Sequence, residues 1–67
     1  MRDQIKDALI LVYQGEIARA NANIEVYMRK SVGIGEHPDI MAAIDSEIEK
    51  AAHAQEKLEY VDQLEEY

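Results

Sequence analysis

The side chains most able to do chemistry are Glu49, His53 and Glu56, which follow one another at intervals of four and three residues. Residues spaced in this way share one face of a helix, and carboxylate and imidazole groups are metal ligands. Helical bundles bind di-iron through inward-facing Glu-x-x-His motifs. Here the order is reversed, as His53-Ala54-Gln55-Glu56, and His53 falls on the side of its helix away from the expected core. We therefore predict no metal site and keep these residues as the candidates of a ferritin-like alternative.

No other group of residues carries a specific chemical signature. Ser31 and Ser46 are the only serines, and neither lies in the strand–turn–helix context of a nucleophile. The segment Gly33-Ile34-Gly35 lacks the third glycine and the preceding strand of a phosphate-binding loop. The chain has no cysteine. The sequence therefore predicts no catalytic residue, no cofactor and no enzyme.

Two helices are expected to carry these residues. Helical spacing of the apolar residues runs over about 3–32, is interrupted by a loop at 33–38, and resumes over about 39–66. Gly33 suits the position that follows a helix, and Pro38 suits the first turn of the next one. The predicted fold class is all-α, an antiparallel helix–loop–helix hairpin that forms a single domain over the whole chain.

One stripe of residues in each helix repeats at alternating steps of three and four, the pattern by which two helices pack along a seam. Folding the chain back on itself places residues whose numbers sum to about 72 opposite one another, for example Ala20 and Ala51. Gln55 is the one polar position of this pattern and is expected to set the register or to hydrogen-bond at an interface. The expected seam consists of Ile10, Tyr13, Ile17, Ala20, Ile24 and Tyr27 on the first helix and of Met41, Ile44, Ile48, Ala51 and Leu58 on the second, with Val61 nearby.

The first helix carries a second stripe, of small and apolar residues, on the side away from this seam. Gly15 costs about 1 kcal/mol relative to alanine in a helix interior, and Leu11 and Val12 are unfavourable when exposed. Close approach of another helix would compensate for both; the alternative is that alanine is simply a good helix former and that Gly15 is tolerated. We expect a homodimer with two first helices at the centre of a four-helix bundle. The predicted self-association face consists of Ala8, Leu11, Val12, Gly15, Ala18 and Ala22.

Charge is distributed unevenly between the helices. Residues 1–32 contain five bases and four acids and sum to +1, whereas residues 39–67 contain two bases and nine acids and sum to −7. The net charge of −7 disfavours nucleic acid and anionic membranes and favours a basic protein partner. No apolar run approaches the roughly 20 residues that cross a bilayer, and the N-terminus is too polar for a signal peptide, so we expect a cytoplasmic protein. The expected partner contacts are Glu36, His37, Glu56, Glu59, Tyr60 and Tyr67.

The segment Ser31-Val32-Gly33-Ile34-Gly35-Glu36-His37-Pro38-Asp39-Ile40, with the isoleucine- and acid-rich helix that follows, resembles a group of small uncharacterised proteins encoded by tailed phages of marine cyanobacteria. The resemblance implies a viral protein that works in the host cytoplasm by binding a host protein. It implies no activity and no catalytic residues.

Three functions stay open at this point. The first is a non-enzymatic interaction module, a dimeric hairpin that binds a host or viral protein. The second is a structural or assembly component that docks its small-residue face into a larger complex without forming a free dimer. The third is the ferritin-like metal protein.

Overall fold

The structure, a computed structural model, describes residues 2–34 and 38–64, and it describes the side chains of residues 4–29 and 39–64. The chain forms two helices, α1 (Arg2–Ile34) and α2 (Pro38–Gln63). They pack against each other along their length in a hairpin that measures 52 × 14 × 10 Å. The predicted all-α two-helix hairpin is therefore confirmed.

The helix ends differ from the predicted ones by a few residues. Helix α1 continues to Ile34, so Gly33 lies inside the helix and does not follow its end. A glycine weakens a helix interior by about 1 kcal/mol but does not block it, because it keeps its backbone N–H. Helix α2 begins at Pro38, one residue earlier than predicted, since proline fits the first helical position. The rest of the predicted loop, 35–37, lies outside the described residues.

The end of α2 comes at Gln63, earlier than the predicted position 66. The backbone N–H of Leu64 donates to the carbonyl of Val61 at 3.1 Å, a tightened turn that satisfies one of the last carbonyls of the helix. Residues 65–67 lie outside the described part of the chain.

Helix α1 uses the predicted seam. Ala20 is almost fully buried, at 2% exposure, and the large seam residues around it are half-buried. Alternating large and small residues let the two helices approach closely at mid-length. The buried or half-buried members of the predicted set are Ile10, Tyr13, Ile17, Ala20, Ile24 and Tyr27.

Helix α2 is rotated by about one residue relative to the prediction. Met41 is 76% exposed and Ile48 is 51% exposed, so neither is a seam residue, and Gln55 also faces solvent. The structure instead turns the residues immediately before them toward α1. The observed seam of α2, spaced alternately four and three residues apart, consists of Ile40, Ile44, Glu47, Ala51, Ala54, Leu58 and Val61.

The rotation changes the surroundings of three side chains of α2. The observed orientation buries Ala54 and Val61, whereas the predicted one would have placed Gln55 in the seam at their expense. The amide of Gln55 donates instead to Oε2 of Glu59, one turn along the surface of α2, at 3.2 Å. Because a buried amide needs a partner and an exposed one has water, this orientation avoids the cost of burying Gln55. The cost is a buried glutamate, Glu47.

Contacts across the seam fix the register. Nδ2 of Asn23 lies 3.2 Å from Oε1 of Glu47, and Nζ of Lys57 lies 5.6 Å from the centre of the Tyr13 ring. Both pairs have residue numbers that sum to 70, two fewer than expected. The helices are thus offset by about two residues from the predicted alignment.

Candidate functional site

The outer face of α1 carries a stripe of uncharged, exposed residues. All six residues of the predicted self-association face are exposed, and Leu11 is 68% exposed. A Cβ added at Gly15 would meet no atom within 4 Å. Nothing within the hairpin therefore requires glycine at this position, and any close approach at Gly15 has to come from another molecule.

Further apolar side chains extend this surface. Ile5, Val12 and Val26 are exposed on α1, seven or fourteen residues apart, and therefore lie on one line along the helix. On α2, the rotation described above leaves Met41 and Ile48 exposed. Helical periodicity places these two on the side of the hairpin toward which Leu11 and Ala18 also face.

The hairpin has little interior of its own. Among the described residues, the buried apolar side chains are Ala20, Ala54 and Val61. The chain exposes 5402 Å², roughly a quarter more than the about 4,300 Å² that a compact monomer of 7.6 kDa exposes. Most of the large apolar residues are half-buried or exposed.

A polar layer lies in the seam beside Ala20. Glu47 is 7% exposed, and its two oxygens accept hydrogen bonds from Nδ2 of Asn23 and from Nζ of Lys50, each at 3.2 Å. The hydrogen bond from Asn23, then the one from Lys50, lowers the pKa of Glu47; burial opposes this shift, and the charges of Lys50 and Arg19 favour it. Glu47 is therefore ionised at neutral pH.

A charged groove runs along one side of the seam next to this layer. It has a volume of about 400 Å³ and is lined by residues of both helices. Three of the seven bases of the chain lie here, together with one of its two histidines. The lining residues are Glu16, Arg19, Ala20 and Asn23 of α1 and Glu47, Lys50, His53, Ala54 and Lys57 of α2.

The residues of the ferritin-like alternative do not form a ligand set. Over the described part of the chain, no three histidine, cysteine or carboxylate side chains are close enough together to hold a metal ion, so Glu49, His53 and Glu56 do not converge. Periodicity places Glu49 and Glu56 on the outer side of α2, while His53 lines the charged groove beside Lys50 and Lys57. Two neighbouring cations make that groove unfavourable for a metal cation.

The expected partner contacts divide into two groups. Glu56, Glu59 and Tyr60 are exposed on α2, and Tyr60 presents about two thirds of its surface to solvent. Glu36, His37 and Tyr67 lie outside the described residues. The structure therefore leaves an acidic, aromatic-bearing surface open on the C-terminal half of α2.

Neither described helix is long and apolar enough to cross a membrane. Comparison with protein-family models, curated proteins and solved structures gives no match to this chain. The two surfaces and the groove therefore have to be interpreted from their own chemistry.

Sequence reasoning missed the polar layer and the groove. The seam predicted from the sequence contained neither Asn23 nor Glu47. The signal was present in the spacing of Ile44, Ala51 and Leu58, which fits Glu47, Ala54 and Val61 as well as it fits Ile48 and Gln55. The choice between the two depended on whether a partner for Glu47 existed on α1.

Proposed function

We propose that this chain is a non-enzymatic protein-interaction module that self-associates through the outer face of α1 and presents its acidic helix α2 to a protein partner. The observation that carries the proposal is the small interior of the single hairpin. Ordering a chain costs roughly 1.5 kcal/mol per residue, and among the described residues only two alanines and one valine are buried apolar side chains, while the large seam residues are half-buried. Burial of the exposed face of α1 would supply the missing apolar contact.

A second copy is the occupant that best fits this face. The stripe Ala8, Leu11, Gly15, Ala18, Ala22 carries no charge, and residues 1–32 as a whole sum to +1, so two α1 helices approach without strong repulsion. Two α2 helices facing each other would bring together most of the net charge of −7. Burial and charge therefore both support an arrangement with α1 central and α2 outside.

The partner surface is the exposed acidic side of α2. Asp45, Glu49, Glu56 and Glu59 are all exposed, and Tyr60 adds an exposed aromatic ring. Carboxylates with an aromatic neighbour favour a basic protein surface. The resemblance to phage proteins supports a host protein as that partner and the host cytoplasm as the location, and this part stays a hypothesis.

Sedimentation equilibrium across protein concentrations tests self-association. We expect the intact chain to form a dimer at low micromolar concentration and the Gly15→Leu variant to dissociate at concentrations at least tenfold higher, because a leucine there separates the two α1 helices. The matched control is Ala42→Leu, which adds a leucine to an exposed position of α2. A monomeric intact chain, or an unchanged dimer in Gly15→Leu, contradicts the proposal and favours the assembly-component alternative.

Affinity capture from host lysate tests the partner surface. The bait is the intact chain, and the control bait replaces Asp45, Glu49, Glu56 and Glu59 by their amides, which keeps the helix and removes four charges. We expect a protein captured by the first bait and lost with the second. A protein retained equally by both baits does not use this surface.

A further inference from the structure

The charged groove between the helices concentrates positive charge in an acidic protein. Arg19 comes from α1, while Lys50 and Lys57, one heptad apart, come from α2. The lining carries three positive and two negative formal charges, against a net charge of −7 for the chain.

The negative charges of the groove are already partly neutralised. Both oxygens of Glu47 accept hydrogen bonds, from Asn23 and Lys50, so this carboxylate forms a satisfied wall of the groove. Glu16 is exposed and forms no salt bridge with a described residue. Of the two carboxylates in the groove, Glu47 is therefore hydrogen-bonded and Glu16 is exposed to solvent.

Two bases of the groove are not held in a salt bridge with a described carboxylate. Among the described residues, Arg19 and Lys57 form no salt bridge, whereas Arg29 is paired with Glu25 at 2.7 Å and Lys50 with Glu47 at 3.2 Å. Lys57 lies over the ring of Tyr13, at 5.6 Å from its centre, which holds the ammonium near the seam. Guanidinium and ammonium groups from opposite walls are the donors that bind phosphate oxygens.

We propose that this groove binds a small phosphate-type oxyanion, with Arg19 and Lys57 as its principal donors and with Lys50 and His53 at its edge. The volume of about 400 Å³ falls within the range of small-ligand sites. The net charge of the chain repels long polyanions, which selects a compact anion over nucleic acid. The proposal does not rest on self-association, because both walls belong to one chain.

Titration of the isotope-labelled intact chain with inorganic pyrophosphate tests this site, with sodium chloride adjusted to keep the ionic strength constant. We expect saturable NMR shift changes confined to Arg19, Lys50, His53 and Lys57. The Arg19→Gln and Lys57→Gln variants should each bind about tenfold more weakly, the loss of one charge-assisted hydrogen bond. The matched control, Arg29→Gln, removes a base outside the groove and should bind as the intact chain does.

Several results would overturn the proposal. NMR shift changes at all bases, including Arg29, would show that pyrophosphate associates with the charged surface non-specifically and has no defined site. Equal affinity of the intact chain and of Arg19→Gln for pyrophosphate would show that Arg19 is not a principal donor. Saturation by a polyglutamate peptide at lower concentration than by pyrophosphate would assign the groove to an acidic protein segment. Circular dichroism of each variant checks that the hairpin is intact, and none of these results depends on whether the chain dimerises.

Discussion

Nδ2 of Asn23 on α1 donates a hydrogen bond of 3.2 Å to Oε1 of Glu47 on α2 and so joins the two helices within their seam. Asn23 is half-buried and Glu47 is buried. Nζ of Lys50, on the groove side, donates a hydrogen bond to the other oxygen of Glu47. A buried ion with all its oxygens satisfied contributes little net stability, but it penalises every register in which its partner is elsewhere. We infer that this pair selects both the rotation of α2 and its alignment.

The Asn23–Glu47 pair can be tested by a double-mutant cycle. Asn23→Leu should lower the free energy of unfolding, measured by urea denaturation, because it removes a donor from a buried carboxylate. The same substitution in a Glu47→Leu background should have a smaller effect or the opposite sign, since no charge is then left unpaired. Arg29→Gln, which breaks an exposed ion pair with Glu25, is the control and should change stability very little. Additive effects in the cycle would mean that the pair does not act as a unit.

The rotation of α2 is tested by two isoleucines of the same helix. Ile44→Ala should lower the free energy of unfolding by about 2 kcal/mol, because Ile44 is half-buried in the seam. Ile48→Ala should change it by no more than about 0.5 kcal/mol, since Ile48 is 51% exposed and lies outside the seam. Both are measured by urea denaturation at a concentration where the intact chain is monomeric. A larger loss of unfolding free energy for Ile48→Ala than for Ile44→Ala would favour the seam predicted from the sequence.

The lowered pKa of Glu47 makes stability depend on pH. The folded chain holds this carboxyl ionised below its ordinary pKa of 4.5, so the unfolded chain takes up the proton first as the pH falls. The stabilisation is fully present above about pH 4.5 and is lost as the pH falls through the lower folded pKa. Urea midpoints between pH 7 and pH 3 should therefore fall more steeply for the intact chain than for Glu47→Gln. Parallel profiles would contradict the assignment, since the other carboxylates are common to both proteins.

Gly15→Ala separates the stability of the hairpin from its association. With no atom within 4 Å of the new Cβ, the substitution should raise the free energy of unfolding of the monomer by up to about 1 kcal/mol through helix propensity alone. Thermal unfolding at submicromolar concentration measures this. Ala52→Gly is the reverse change at an exposed position of α2 and should lower stability by a similar amount. Destabilisation by Gly15→Ala under these conditions would mean that Gly15 is packed within the single chain.

The sequence determined the fold class, the seam of α1 and the exposed stripe of that helix. Each follows from a local pattern: apolar residues at steps of three and four, and Pro38 at the start of a helix. In α1 the pattern is unambiguous, because Ile10, Ile17 and Ile24 form one line that no neighbouring residues match as well. The outer stripe is then fixed by periodicity.

The tertiary structure decided which face of α2 meets α1. Two faces of α2 share Ile44, Ala51 and Leu58 and differ by one residue elsewhere, so local pattern does not separate them. The difference lies in pairing across the seam. Inside it, Glu47 accepts hydrogen bonds from Asn23 and Lys50, and the contact with Asn23 joins residues 24 apart in the chain. The groove with Arg19 and Lys57 follows from the same rotation. The sequence pattern of one helix does not predict such pairings, because they stabilise the hairpin only when both helices are packed together.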